Sequence, residues 1–525
     1  MTTSTKPARR KTRPANAPGP ASADDDGTLS PEDQTDAEKQ ADGRDSVYGK
    51  ALRLYEAGWE TKITPDGRPF AVDKRTGRAT VLSEAGKGSL YSLLQTAYIK
   101  QDGKPGSAEQ VSQVLQGQYA MAHAGTFPTA DLHLRVARTA PDTVVLDLGE
   151  RHSSAHVEIT PDGWTVRETA LEATFELSEA SRPLPHPKRA RGVQPGDGYE
   201  ALRKLLGWGE TDRRWLLVRG WLVAALLPNV ARPLLFMHGR AGSGKTLRAV
   251  FVLSVLDPRE ELGGSLSKNE RDSMVAASAR YLLGWDNITT VSEAISNMIC
   301  RLVTGGTDER RSLYSNDDLH VRDIRRTGAL TGINVPMMLP DALERLIPLT
   351  CGTIPKERRR SETAMRAQFA KAHPAILADV LDDLALVLRR LPRVQNMKRN
   401  RPRMADFSDV LRALGREYDR AYVRTAEGVQ REVAESDPFV RTLCAWLKDN
   451  PGILGQRLAW ADALNRLRGF VLGDEAREGL PTSVNGFSAL LTKHAGSLEA
   501  MGYSSKAGKS NGERYVMFSA KGADG

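Results

Sequence analysis

Gly239-Arg240-Ala241-Gly242-Ser243-Gly244-Lys245-Thr246, near the middle of a 525-residue chain, is the stretch that decides the fold class. It matches the pattern GxxxxGK[ST] of a phosphate-binding loop. An apolar run at residues 233–238 precedes it, and a helical pattern at residues 247–256 follows it. Strand, glycine-rich loop and helix in this order predict an α/β P-loop NTPase core.

The residue types of this loop predict ATP as ligand and Mg²⁺ as cofactor. Glycines let successive backbone N–H groups curl around the β-phosphate, and the following helix adds its positive N-terminal dipole. Lys245 then reaches the β- and γ-phosphate oxygens, and the Thr246 hydroxyl coordinates the metal. The predicted nucleotide-binding residues are Gly239, Arg240, Ala241, Gly242, Ser243, Gly244, Lys245 and Thr246.

A P-loop also needs a carboxylate at the end of a nearby strand to hold the metal. Residues 281–285 form an apolar run that ends at Asp286, and the spacing predicts a strand adjacent to the loop's own strand. Asn287 follows where many ATPases have a water-activating glutamate, so Asn287 or Glu293 would have to orient the water. The alternative is that Asp286 is a surface acid that ends a strand.

A second probable strand, residues 328–333, ends in polar residues that would sense the γ-phosphate, Thr331 and Asn334. Arg345 follows shortly after it. Such an arginine suits a finger that reaches the phosphate of a neighbouring subunit. A structural salt bridge, for example with Asp341, is the other interpretation.

Charge, cysteine spacing and apolar content indicate which partners, metal sites and cellular locations to expect. The formal net charge of +9 favours a polyanionic partner, although a merely basic surface explains it as well. The three cysteines are far apart and predict neither disulfides nor a zinc site. No stretch is apolar enough for a membrane span or a secretory signal, so we expect a cytoplasmic protein that does not bind membranes.

The chain divides into five predicted segments. Residues 1–44 form a disordered tail, whose basic residues could contact nucleic acid or simply aid solubility. Residues 45–181 form an accessory α+β domain, with TPDG turns at 64–67 and 160–163, helices at 90–99 and 108–115, and a meander at 143–169. A linker at 182–198, the ATPase core at 199–435 and a C-terminal domain at 436–525 follow.

The C-terminal segment predicts a winged-helix-like domain. Helical patterns at 439–447, 460–467 and 485–494 precede a charged turn at 506–511 and a strand at 514–518. Such domains place a helix in the major groove of DNA or serve as protein docking modules. The polar residues expected to contact duplex DNA are Ser483, Asn485, Lys493, Lys506, Lys509 and Arg514.

Five motifs together carry a family resemblance: GRAGSGKT, WDNIT at 285–289, CRLVTGG at 300–306 followed by RRSLYSNDD, ALTGI at 329–333, and DALERL at 341–346. The chain resembles the ATP-binding proteins of actinobacterial phages and integrative elements. Their core is similar to superfamily 3 (AAA+-like) replicative helicases and phage or plasmid primase-helicases. Thr289 stands where such relatives usually have serine.

The resemblance implies specific roles. Asn287 is a family trait, and Arg310, Arg311 and Tyr314 face the centre of a ring or a neighbouring subunit. Arg345 corresponds to the arginine of the relatives' D-L-x-x-R motif, which favours the finger. The family implies a homo-oligomeric ring, commonly a hexamer, that acts on single-stranded DNA.

Two basic clusters are candidates for DNA phosphate contacts, with solvated helix ends as the alternative. They comprise Lys356, Arg358, Arg359 and Arg360, then Arg389, Arg390, Arg393, Lys398, Arg399, Arg401 and Arg403. The leading hypothesis is a DNA-dependent ATPase, a helicase-like motor in replication or maintenance of a mobile element, with Lys245, Asp286, Asn287 and Arg345 as catalytic residues. A nucleotide-gated scaffold or regulator and a helicase loader remain open as alternatives.

Overall fold

A computed structural model of the chain describes residues 47–520, except 170–172, 179, 265, 267–269, 306, 312–318, 337, 472–479 and 511–512. The predicted tail at 1–44 lies outside the described residues. Two clusters of apolar side chains form the main cores, one around residues 134–422 and one around residues 434–518.

The described part of the N-terminal region contains two sheets and three helices. Its elements are α1 (Val47–Gly58), β1 (Trp59–Ile63), β2 (Pro69–Asp73), β3 (Arg78–Val81), α2 (Ser89–Asp102), α3 (Ala108–His123), β4 (Leu132–His133), β5 (Val136–Ala140), β6 (Thr143–Asp147), β7 (His156–Thr160), β8 (Gly163–Arg167) and β9 (Thr174–Glu176). The first sheet has the order β1-β2-β3-β9-β4 and the second the order β5-β6-β7-β8.

The local patterns of this region are confirmed. Both TPDG segments lie between antiparallel strands, since β1 pairs with β2 and β7 pairs with β8. The predicted meander is the antiparallel run β6-β7-β8, to which β5 adds a fourth strand. Ser107 occupies the N-cap position of α3 as predicted, although its side chain makes no capping hydrogen bond.

The core region is built around one parallel sheet. Its elements are α4 (Asp197–Leu206), α5 (Arg213–Ala225), β10 (Leu234–His238), α6 (Lys245–Ser254), α7 (Glu270–Ala279), β11 (Leu282–Trp285), α8 (Glu293–Thr304), β12 (Thr307–Arg311), β13 (Leu319–Asp323), β14 (Thr327–Gly332), α9 (Pro340–Leu343) and β15 (Leu346–Thr350). The strand order β11-β14-β10-β15 is parallel throughout, which confirms the α/β class.

This order corrects one expectation. The strand that ends at Asp286, β11, does not adjoin β10, because β14 lies between them. Strand β14 fits there because small residues dominate it, and a Cβ on Gly328 would lie only 2.0 Å from the Leu283 carbonyl oxygen. Sequence spacing shows which strand follows which, but it does not show which strand inserts between two others.

Three helices complete this part of the chain: α10 (Glu362–Gln395), α11 (Ala405–Leu414) and α12 (Arg416–Ser436). Helix α10 packs against α4, and its Asp382 carboxylate accepts a hydrogen bond from the Trp164 indole N–H at 2.8 Å. Apolar side chains of the β5–β8 sheet, such as Leu146 and Val157, belong to the same core cluster as β10 and α10. The second sheet is therefore part of the core that supports the glycine-rich loop 239–246.

The C-terminal segment has its own core. Its elements are α13 (Pro438–Asp449), β16 (Leu458–Ala459), α14 (Trp460–Phe470), α15 (Val484–Lys493), α16 (Ala495–Ala500), β17 (Tyr503–Ser510) and β18 (Glu513–Ala520). The predicted charged turn at 506–511 is mostly strand, since Lys506 to Ser510 pair antiparallel with β18. None of the described helices is both long and apolar enough to cross a bilayer.

Candidate nucleotide-binding site

The glycine-rich loop joins β10 to α6 with a backbone that only glycine accommodates easily. Gly239 has a φ of 155°, and a Cβ there would lie 2.3 Å from the Cys351 carbonyl oxygen. Gly244, with a φ of 69°, is the N-cap residue of α6. Both residues thus let the loop fold closely over the ends of β10 and β15.

The N–H groups of the loop differ in whether a described backbone oxygen accepts from them, as the Gly332 oxygen does from Gly239. Among the described residues, no backbone acceptor is present for the N–H groups of Gly242, Gly244, Lys245 and Thr246. These groups stand at the start of a ten-residue helix, where the first turn has no intrahelical partner. A phosphate is a natural acceptor for such a set, because the helix dipole also favours negative charge there.

The Asp286 carboxylate lies at the start of this helix. Thr246 donates its hydroxyl hydrogen bond to Asp286 Oδ1 at 3.0 Å, and the Thr331 hydroxyl donates to the same oxygen. The backbone N–H of Asn287 donates in turn to Thr331 Oγ1 at 3.1 Å. Thr331, on the inner strand β14, thereby holds the Asp286 carboxylate in position. Asn334 is exposed and makes no side-chain hydrogen bond with the described residues.

These oxygens fit the predicted metal. A threonine hydroxyl and a carboxylate at hydrogen-bond distance from each other are hard oxygen donors of the kind that Mg²⁺ accepts alongside substrate phosphates and water. Thr246 and Asp286 are the residues that would hold the ion. Glu293 lies exposed at the start of α8, after the Ser292 cap, and does not line the cavity at the loop.

Asn287 has a conformation that explains its residue type. Its φ of 58° is the one positive φ of a non-glycine residue in the described part of the chain. Asparagine tolerates the left-handed region better than other side chains. Its side chain is exposed, and it directly follows the carboxylate.

A cavity of about 1050 Å³ opens beside the loop. Lys245, Thr246 and Asp286 line it on one side. The wall opposite combines the α4–α5 connection, including Trp208, with the segment after β15 and the start of α10. Sequence reasoning named Arg359 and Arg360 only as candidates for DNA phosphate contacts. It placed none of these further lining residues at the nucleotide site: Lys204, Arg214, Glu260, Glu261, Ile354, Arg359, Arg360, Met365 and Arg366.

The arginines along the cavity differ in their partners, and three of them, Arg248, Arg359 and Arg360, have no carboxylate partner among the described residues. Arg214 pairs with Asp212 and Arg366 with Glu362. Arg359 has no carboxylate partner among the described residues, and its Nε donates only a long, 3.4 Å hydrogen bond to the Ile354 carbonyl. Its Nη2 would lie 3.7 Å from a Cβ on Gly242, directly over the loop. An uncompensated cation therefore faces the predicted phosphate position.

Titratable groups under the loop are held neutral by burial. Burial raises the pKa of the Cys351 thiol above its ordinary value, although Arg248, Arg214 and Lys245 oppose that rise. Burial also lowers the pKa of His238. Cys351 and His238 are neutral at pH 7, so the positive charge beside the loop comes from Lys245 and the arginines.

Arg345 lies away from its own loop. It directly precedes β15 and is only 9% exposed, and its Nη1 contacts Asp341 Oδ2 at 2.6 Å. The loop follows the other end of β10, which runs parallel to β15 with Leu234 opposite Leu346. The structure therefore shows the salt bridge that was the alternative to the finger. A role across a subunit boundary would require this pair to open.

The two basic clusters have different surroundings. Arg359 and Arg360 line the cavity, which places them beside the predicted nucleotide. Arg399 and Arg401 pair with Asp409, and Arg403 pairs with Asp341 and Glu344. The second cluster thus includes partly buried ion pairs, and Arg399 is not a solvated helix end.

The segment expected to face a ring centre is partly outside the described residues. Strands β12 and β13 form an antiparallel hairpin. The side chains of Arg310 and Arg311 are not among the described ones, nor is Tyr314.

In the C-terminal segment, Ser483 caps α15 by accepting the Gly486 N–H at 3.1 Å, which gives it a structural role. The other five predicted contacts are exposed: Asn485, Lys493, Lys506, Lys509 and Arg514.

Residues 200–423 match the family model of the actinomycete integrative conjugative element replication protein. The matched segment contains the loop, Asp286, Asn287 and Arg345. No curated protein is significantly similar to the chain.

Solved structures give only distant likenesses. Two apo structures of the NrS-1 C-terminal region have 13% and 14% identity and TM-scores of 0.38 and 0.40, and each match covers 90% of this chain and 99% of the other. A JCV helicase structure has 12% identity and a TM-score of 0.22, covering 50% of this chain and 74% of the other. At such scores, these structures support no statement about this chain.

Proposed function

We propose that this chain binds ATP with Mg²⁺ at the loop 239–246 and hydrolyses it in a DNA-dependent manner, as a helicase-like motor of a mobile element. The observation that carries the proposal is the 3.0 Å hydrogen bond between Thr246 and Asp286 at the start of α6. It joins the two oxygen donors that a P-loop NTPase needs, next to N–H groups that have no backbone partner among the described residues.

The replication part of the proposal rests on the family match. The segment 200–423 resembles a replication protein of integrative conjugative elements and includes every proposed catalytic residue. Such proteins act on DNA, which agrees with the net charge of +9 and with the exposed lysines of β17. The C-terminal helices and the β17–β18 hairpin would then form a winged-helix-like module on duplex DNA.

In this proposal the loop residues have separate tasks. Free N–H groups of the loop accommodate the β-phosphate, and Lys245 adds a positive charge for the β- and γ-phosphates. Bound Mg²⁺, held by Thr246 and Asp286, would neutralise charge that develops in phosphoryl transfer. Arg359 supplies a second cation from the same chain. The Asn287 amide is the polar group placed to orient water next to Asp286.

A ring assembly is a further part of the proposal and follows from the family resemblance. In a ring, Arg345 would leave Asp341 and contact the phosphate bound by the next subunit. Arg345 is buried in the single chain. Its contact with the neighbouring subunit's phosphate would therefore form only in the assembled ring. Subunit assembly and finger engagement would then occur together.

A nucleotide-gated scaffold or helicase loader is the second candidate, favoured by one observation. The residue after Asp286 is an asparagine, which cannot act as a general base, and Glu293 does not line the cavity. Binding could then drive assembly while turnover stays slow.

One experiment tests these functions together. We expect single-stranded DNA to raise the ATPase rate several-fold, and Lys245→Ala to lower that rate about 100-fold or more through loss of phosphate stabilisation. Lys100→Ala, an exposed lysine of α2, is the matched control and should leave the rate unchanged. Unwinding of a forked duplex by wild type supports the motor. Nucleotide-dependent assembly with an unstimulated rate would replace the motor with the scaffold.

A further inference from the structure

A second cavity, of about 480 Å³, lies at the opposite edge of the parallel sheet from the loop. Asn229 and Arg232 precede β10, Arg325 and Arg326 precede β14, and Tyr281 precedes β11, so these lining residues mark the amino-terminal edge. Arg68, from the turn after β1, and His133 of β4 close the cavity from the N-terminal region. Five-residue strands put the two edges about 16 Å apart.

Positive charge dominates this cavity. Four of its lining residues are arginines, whereas Asp66 is its one lining carboxylate among the described residues. Asp66 lies 3.3 Å from Arg68, and Glu176 lies 3.8 Å from the same arginine. Arg232, Arg325 and Arg326 therefore have no described carboxylate partner within salt-bridge distance.

Carbonyl groups satisfy only part of these guanidinium groups. Arg232 donates to the Ala225 and Leu227 carbonyls at 3.1 and 3.2 Å, and Arg325 donates to the Asn229 carbonyl at 2.6 Å. The Nε atoms of Arg232 and Arg325 are buried and have no hydrogen-bond partner among the described residues, whereas Arg68 Nε lies 3.3 Å from Asp66 Oδ2. Arg232 is only 2% exposed, so water does not readily compensate its missing bond.

Burial and neighbouring charges both shift the pKa values of Arg326 and Arg232. Burial is the main cause that lowers the pKa of Arg326 to about 10; the neighbouring cations Arg232 and Arg68 act in the same direction, and Tyr281 and Glu176 oppose it. Burial likewise lowers the pKa of Arg232, with Arg325 adding to the effect and Tyr281 opposing it. Carbonyl oxygens accept hydrogen bonds without cancelling charge, so this cluster favours an anion more strongly than water.

We propose that this cavity binds a small phosphate-bearing anion, of pyrophosphate or nucleoside-phosphate size, at the junction of the N-terminal region and the core. Guanidinium groups bind phosphoryl oxygens through paired N–H donors, and the volume suits a small ligand. Because Arg68 comes from the N-terminal region and the other arginines come from the core, the anion would hold the two regions together. The site is separate from the loop and does not depend on the proposed ATPase activity.

The test uses the full chain carrying Lys245→Ala, which disables the loop, with inorganic pyrophosphate and ADP as calorimetric probes. We expect pyrophosphate to bind at one site and to raise the Tm, with ADP showing whether a nucleoside is also accepted. Adding Arg325→Gln should weaken pyrophosphate binding about 10-fold, as loss of one charged hydrogen bond implies. Arg431→Gln, the same change at an exposed arginine of α12, should not alter it.

A variant that is expected to tighten binding separates a loss of the site from misfolding, because a misfolded protein would not bind more tightly. Asp66→Asn removes the carboxylate of the cavity while keeping a residue that suits its turn, so it should tighten pyrophosphate binding. The proposal is overturned if Lys245→Ala protein binds no pyrophosphate. It is equally overturned if Arg325→Gln matches Arg431→Gln in affinity, or if Asp66→Asn fails to bind more tightly. If the loop 239–246 neither bound nor hydrolysed ATP, the proposed ATPase function would be wrong, but these pyrophosphate results would not change.

Discussion

Asn287 illustrates how a single backbone angle can select a residue type at the proposed site. Its φ of 58° lets the chain turn immediately after Asp286, so that its own N–H reaches the Thr331 hydroxyl. Thr331 in turn holds the carboxylate that faces Thr246. A glutamate in this position would face the steric cost of the left-handed region. The asparagine thus belongs to the geometry that presents Asp286.

This reasoning predicts the response to substitution of Asn287. Asn287→Gly should keep the free energy of unfolding, since glycine adopts this φ freely, whereas Asn287→Val should lower it by about 1–2 kcal/mol. Urea denaturation of both variants measures the difference. Equal stability of the valine and glycine variants would show that the turn does not require this angle. Turnover should fall in Asn287→Gly if the amide orients water.

The Arg359 guanidinium lies close to Gly242 of the loop. This guanidinium lies over the loop without a described carboxylate partner, so we expect it to stabilise the transferring phosphate. Arg359→Ala should lower kcat about 100-fold, and Arg359→Lys should recover part of that loss. Arg431→Ala, an exposed arginine of α12, is the matched control. An unchanged kcat in Arg359→Ala would show that Arg359 does not stabilise the transferring phosphate.

Local sequence patterns predicted the individual strands and helices around the loop. Strand β10 and helix α6 lie within two residues of their predicted starts, because an apolar run and a glycine-rich loop mark them directly. The place of β14 between β10 and β11 was missed, since strand order depends on tertiary packing. Arg359 was assigned to a DNA-binding cluster for the same reason: the fold, not the neighbouring sequence, brings it to the loop.

Helix α10 meets α6 through His373, which predicts a pH dependence of stability. The His373 ring is buried against Phe369, and its Nε2 lies 3.0 Å from the Val255 carbonyl oxygen. Burial lowers the pKa of His373 to about 4, below its unfolded value of about 6.5. As pH falls, the unfolded state takes up the proton first, so stability is lost between about pH 6.5 and 4.

The expected loss is about 3 kcal/mol over that window, on top of the losses from carboxylates. Urea denaturation at several pH values should give a shallower pH dependence for His373→Gln, which keeps a donor for the Val255 carbonyl but does not titrate. His152→Asn, at an exposed histidine, should retain the wild-type slope. Identical slopes for His373→Gln and wild type would contradict the buried neutral histidine.

For the whole molecule, the main core crosses a predicted domain boundary. Leu146 and Val157 of the second sheet share a cluster with β10 and α10, and Arg389 of α10 donates to the Pro161 carbonyl of the β7–β8 turn at 3.0 Å. The predicted division at residues 181 and 182 therefore separates residues that pack together. Turn patterns locate hairpins, but they do not show which core a sheet joins.

A truncation experiment follows from this shared core. A chain of residues 182–525 loses the β5–β8 sheet, and each lost buried aliphatic side chain costs about 1.5–3 kcal/mol, so several together approach the stability of a domain. We expect this chain to aggregate, and a chain of residues 130–525 to remain monodisperse. Size-exclusion chromatography with thermal melting distinguishes them. Equal Tm values would show that the core folds without the sheet.

The proposed site holds a nucleotide at the loop 239–246 and a metal between Thr246 and Asp286. Equilibrium dialysis of ATP against the full chain, with and without Mg²⁺, measures this binding. We expect saturable, Mg²⁺-dependent binding at one site per chain, which Lys245→Ala and Asp286→Ala each weaken at least about 10-fold while Lys100→Ala does not. Binding that ignores Mg²⁺, or that survives both substitutions at wild-type affinity, would contradict it.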